Sequence, residues 1–80
     1  MIDATTKQPL RVTTEGGASA YIMLNVEQLD SVRAILDANK VLYWVDEESL
    51  TFDGGPETIV INLSYRADPA AVQRLLDSVP

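Results

Sequence analysis

Asp46, Glu47, Glu48 and Asp53 place four carboxylates within eight residues, and oxygen donors of this kind are what hard cations such as Ca²⁺ and Mg²⁺ take as ligands. The loop lacks the Asp-x-Asp-x-Asp-Gly spacing of a calcium loop, so the expectation is a solvated acidic turn and no metal site. Gly16-Gly17 and Gly54-Gly55 could in principle cradle a phosphate. Neither pair opens onto a helix or carries the Lys-Ser/Thr sequel of a P-loop, and hairpin chemistry accounts for both. Acid-base work would fall to the carboxylates, to Tyr21, Tyr43 and Tyr65, and to Lys7 and Lys40. It needs two such groups with displaced pKa values at one pocket, and no spacing here builds that. The chain has neither Cys nor His, which removes the thiol nucleophile, the zinc-cysteine site and the neutral-pH proton shuttle. The expectation is therefore no catalytic residue, no cofactor and no enzyme.

What remains is surface recognition. Ala20-Tyr21-Ile22-Met23-Leu24 is apolar at every position, and successive residues of a strand point to opposite faces. If Leu10, Val12, Ala20, Ile22, Leu24, Ile59, Ile61 and Leu63 face a core, the other side carries Arg11, Thr13, Tyr21, Met23, Thr58, Val60 and Asn62. That side is joined either by Leu42 and Trp44 or by Val41, Tyr43 and Val45. Uncovered apolar surface with aromatic residues and Met marks protein interfaces, so Tyr21, Met23 and Val60 are the candidate interface, unless the 46–56 loop folds over this face and hides it. Trp44 and Phe52 are the candidates for a ligand pocket between the sheet and the 46–56 loop.

The elements that must position these residues read as follows. Residues 9–14 alternate apolar and polar and begin with Pro, which suits an edge strand. Glu15-Gly16-Gly17-Ala18 is a hairpin turn to a second strand over 19–24, whose apolar faces suit the middle of a sheet. Asn25 is an N-cap with Gln28 at the capping-box position, opening a helix to about Ala38, with Leu29, Val32, Ile35 and Leu36 inward and Asn39 a left-handed stop. Val41–Val45 is a third strand. Residues 49–52 are either a short extra strand or a loop tucking Leu50 and Phe52 under the sheet. Thr58–Leu63 is the clearest strand, after the turn Asp53-Gly54-Gly55-Pro56. Asp68-Pro69 then caps and starts a helix on which Val72, Leu75, Leu76 and Val79 repeat at i, i+3, i+4 and i+7. Residues 1–8 read as a flexible N-terminal segment, and 9–80 as one domain.

The order ββαββα predicts an α+β, two-layer α/β sandwich with both helices on one face of an antiparallel-rich sheet. Its strand order, 9–14, 19–24, 58–63, 41–45, is that of a ferredoxin-like sheet whose last strand has moved to the N-terminus. A five-stranded version adds 49–52. From Leu29 to Leu76, a helix Leu-x-x-Val-x-x-Ile-Leu, then Val-Leu-Tyr-Trp-Val, a turn, Ile-Val-Ile and a final Val-x-x-Leu-Leu resemble a prokaryotic family of small signal-transducing domains. The resemblance implies a regulatory role and covers about half the chain. The amino-acid-binding ACT domains resemble the general sheet, but where they typically carry a Pro-Gly pair this chain reads Asn25-Val26-Glu27-Gln28. No site residue carries over from either family.

Composition narrows the partners. The 80 residues carry 12 Asp plus Glu against 6 Lys plus Arg, a net charge of −6. Phosphate-backbone binding draws its affinity from clustered cations, and base stacking on a sheet needs cations around its aromatics; Arg11 alone stands in the strands, so no nucleic acid is expected. No apolar run approaches the length of a membrane span, and the N-terminus has no signal-peptide pattern. The expectation is a cytoplasmic, non-enzymatic regulatory or interaction module that meets a protein, another chain or a second copy as a homodimer, with a small-ligand sensor as the alternative.

Overall fold

The computed structural model describes residues 1–14, 19–51 and 54–79. The elements run β1 Val12–Thr13, β2 Tyr21–Asn25, a 3-10 turn Val26–Gln28, α1 Leu29–Ala38, β3 Tyr43–Val45, β4 Leu50–Thr51, β5 Glu57–Leu63 and α2 Pro69–Asp77. Strand neighbours follow the order β1-β2-β5-β3, with β4 also on β5, and every pairing is antiparallel. The four strands read from the sequence thus stand in the expected order, and residues 50 and 51 form a fifth strand. The expected hairpin turn over residues 15–18 lies outside the described residues.

Alternation decides which side is dry. Ile22, Leu24, Ile59, Ile61 and Leu63 point to one face and pack with Val32 and Leu36 of α1 and Val72 and Leu76 of α2 into a single buried cluster. Both helices therefore cover the same face. Side chains with no polar atoms can fill such a layer without leaving a donor or acceptor unpaired. On β3 the register Tyr43↔Leu63 and Val45↔Ile61 puts Tyr43 and Val45 on this inner side and Trp44, opposite Asn62, on the outer one. The choice that the sequence leaves open is settled by pairing, not by hydrophobicity.

Both helix starts follow local chemistry. The Asn25 side chain accepts from the Glu27 N–H at 2.8 Å, and Asp68 accepts from the Ala70 N–H at 3.0 Å with Pro69 in the first turn. Two details differ from expectation. Gln28 does not return to the cap but reaches the N-terminal segment, and the left-handed residue after α1 is Lys40 (φ 57) instead of Asn39. The Asn39 side chain is occupied elsewhere, donating to the Ile35 carbonyl at 2.8 Å. On α2, Val72 and Leu76 are buried while Leu75 and Val79 are only half-buried. The buried stripe of α2 is one row wide.

Residues 1–8 read from the sequence as flexible. In the structure Ile2 bridges Pro9, the Asp3 N–H donates to the Gln8 carbonyl at 2.8 Å, and the Met1 nitrogen donates to the Leu76 and Val79 carbonyls. Gln28 holds this hairpin from outside, donating through Nε2 to the Ile2 carbonyl at 2.7 Å and accepting from the Ala4 N–H at 2.8 Å. Gln73 of α2 repeats the device on β1: it donates to the Leu10 carbonyl at 3.0 Å and accepts from the Val12 N–H at 2.8 Å. A carbonyl and the N–H two residues on are the pair that a parallel neighbouring strand would engage. Each glutamine amide stands in for one residue of such a strand.

Candidate interaction surface

The outer face is built by two cross-strand rows. One runs Thr13, Tyr21, Asn62, Trp44 across β1, β2, β5 and β3, each pair being direct partners in the ladder. The other has Met23 paired with Val60. It is extended on the β1 side by Arg11, next before Val12 in the chain, and on the β3 side by Asp46, whose N–H donates to the Val60 carbonyl at 3.0 Å. Alternation places Arg11 outward, and Arg11, Thr13 and Met23 line a common shallow hollow. Asp46 is turned the same way, because its carboxylate accepts from the Asn62 side-chain amide at 2.5 Å.

Exposure shows what this face lacks. Met23 is 42% and Trp44 55% exposed, and Tyr21 and Val60 are half-buried. In an isolated domain of this size such side chains would be placed under a helix if one were present. Among the described residues no helix lies on this side. The structure thus brings Tyr21, Met23 and Val60 together and adds Trp44 to them. Phe52, the proposed pocket partner of Trp44, lies outside the described residues. The hollow that Trp44 does line is bordered by Arg33, Asp37 and Tyr43, on the α1 side and away from the 46–56 loop. There the Tyr43 hydroxyl donates to Asp37 at 2.7 Å and accepts from Arg33 Nε at 3.5 Å. That contact, with the Asp37 and Asp30 carboxylates, raises the Arg33 pKa above its ordinary value, and an already permanent cation stays one.

The sheet edges are blunted by different means. On the β1 side, Gln73 occupies the outward backbone groups of Leu10 and Val12. On the other side, β3 and β4 are two halves of one strand: between the pairs Val45↔Ile61 and Leu50↔Thr58, five steps along one chain answer three along the other. With Asp46 still bonded to Val60, two residues are extruded within 47–49, and this bulge holds Glu47 and Glu48. Bulges and inward or edge charges are the usual defences against strand addition. The acidic cluster thereby acquires a structural role, and no group of three or more acidic residues among those described gathers in a way that could hold a metal ion; Asp53 lies outside them.

Sequence reasoning placed Arg11 on the outer face but missed the backbone contacts of Gln28 and Gln73 and the Asp46 to Asn62 bond. A polar residue immediately beside a buried helix row, as Gln73 is beside Val72, was the available signal. Among the described residues no helix is long and apolar enough to cross a membrane. No family model matches the chain, and no curated protein or solved structure matches it.

Proposed function

We propose that this chain is a non-enzymatic, cytoplasmic regulatory module that works by self-association, its outer sheet face packing against the same face of a second copy. The observation that carries this reading is the distribution of charge along the row Arg11, Met23, Val60, Asp46. The centre is apolar, a cation stands at one end, and a carboxylate stands at the other. A two-fold axis parallel to the strands lays the β1 edge of one copy over the β3 edge of the other. Arg11 then meets Asp46 twice, Tyr21 meets Asn62, and Trp44 meets Thr13. Sheets that pack face to face keep their strands within about 30° of parallel, which this axis satisfies.

Two further features support the reading. The molecule carries a net charge of −6, so two copies repel in most orientations, and this face offers uncharged centre and matched ends. The blunted edges disfavour the competing mode, edge-to-edge strand addition. A contact of four short strands falls at the low end of specific interfaces, under about 1,200 Å² in total, so the association is reversible and concentration-dependent. With the function we read the fold as a permuted ferredoxin-like sandwich: β2 and β3 are both antiparallel to β5, hence parallel to each other with β5 between them, and β1 takes the outer place beside β2.

The test is a charge exchange followed by sedimentation over a wide concentration range. Arg11→Asp or Asp46→Arg alone should weaken the dimer by juxtaposing like charges, and the double variant should regain it. Single variants that associate like the parent, or a double variant weaker than both, overturn the two-fold arrangement.

A further inference from the structure

A second surface lies where the turn after α1 meets α2, bordered by Leu42 just before β3. The turn after α1, the connection from β5 to α2, and the exposed flank of α2 enclose a groove of about 610 Å³, within the range of small-molecule sites. Its floor is apolar, with Leu42, Ala71 and Leu75. Leu42 is 57% exposed, and Ala71 is too small to close the space between them.

The rim has the opposite sign to the rest of the molecule. Lys40, Arg66 and Arg74, three of the six cations in a chain of net charge −6, come to it from three separate segments. The lining carboxylate, Asp68, is occupied in capping α2 through Ala70. Arg66 meets its neighbour Tyr65: its guanidinium carbon lies 5.7 Å from the ring centroid, and its Nε donates to the Tyr65 hydroxyl at 3.4 Å. The other guanidinium donors keep the planar fork that matches a carboxylate. Lys40 sits at φ 57, a left-handed conformation that side-chain-bearing residues rarely adopt and glycine adopts freely.

We infer that this groove binds a small amphipathic carboxylate, its apolar body on Leu42, Ala71 and Leu75 and its carboxylate at Arg66, with Lys40 and Arg74 flanking. Charge complementarity selects the anion, and the groove's apolar floor selects against a purely polar one. The site is independent of the self-association reading, because Arg11, Met23, Val60 and Asp46 take no part in it.

The experiment is an amide-resolved NMR titration of the whole chain with octanoate, with octyltrimethylammonium as the control of equal tail and opposite charge. Saturable shifts at Lys40, Leu42, Arg66, Ala71 and Leu75 with octanoate, and none at these positions with the cation, are expected. The exposed double variant Arg66→Glu, Arg74→Glu, whose fold is checked by its unchanged remaining spectrum, should weaken octanoate binding about tenfold or more, the loss expected for charge-assisted hydrogen bonds. Shifts that fail to saturate, that centre on Tyr21 and Met23, that the cation reproduces, or that survive the double variant overturn the inference.

Discussion

The two faces of the sheet are written into the same strands by alternate residues, and they use different vocabularies. The inner face is aliphatic: Ile22, Leu24, Ile59, Ile61 and Leu63 are all buried and meet the buried rows of α1 and α2. The outer face has Tyr21, Met23, Val60, Asn62 and Trp44. Aliphatic side chains suit a layer that is always dry, since they carry no group that must find a partner. Aromatic residues with a polar atom, and the adaptable thioether of Met, suit a surface that is wet in one state and dry in another. The proposal of an interface on the outer face draws on this difference.

The contrast is broken most severely from the inner side. Ile61→Ala or Leu76→Ala should cost about 2–5 kcal/mol of stability, read from denaturant midpoints at a concentration where the parent is monomeric. Next is the edge. Gln73→Ala leaves the Leu10 carbonyl and Val12 N–H without their protein partner and should cost about 1–3 kcal/mol, with faster hydrogen exchange at Val12 as its local signature. Asp68→Ala removes the α2 cap and should cost about 0.5–2 kcal/mol. Smallest of all, Met23→Lys should change monomer stability by no more than about 0.5 kcal/mol. A loss at Met23 comparable to that at Ile61 would mean the outer face is covered within one chain, and the distinction between the faces would collapse.

Much of the inner layer was legible because its signals are local. Asp68-Pro69 announces a helix start, and the alternation Ile59, Ile61, Leu63 announces one face of a strand, whatever the remainder of the chain does. Tertiary choices were less readable. Leu75 fits the same apolar stripe as Leu76, yet it and Gln73 flank the buried row of α2 on opposite sides, one over the groove and the other against β1. Which flank is covered depends on how the helix rolls on the sheet. Likewise, Asp46-Glu47-Glu48 reads as the end of a strand, and only the register on β5 shows that the strand resumes at Leu50. Of the candidate site, the outward set Tyr21, Met23 and Val60 followed from alternation. The position of Trp44 beside it needed the pairing of Trp44 with Asn62, and the opposed charges of Arg11 and Asp46 needed both edges.

Sedimentation velocity of the parent and Tyr21→Glu, across concentrations from roughly micromolar to roughly millimolar as befits a small interface, tests the central claim most directly. Tyr21 lies in the middle of the outer face and opposite the buried side of β2, so a charge there leaves the core intact and stands in the contact proposed for the second copy. The account predicts a parent whose mass rises from one chain toward two with concentration and a folded Tyr21→Glu that stays at one chain throughout. A parent that remains a single chain at every concentration, or a Tyr21→Glu that associates as the parent does, would contradict it.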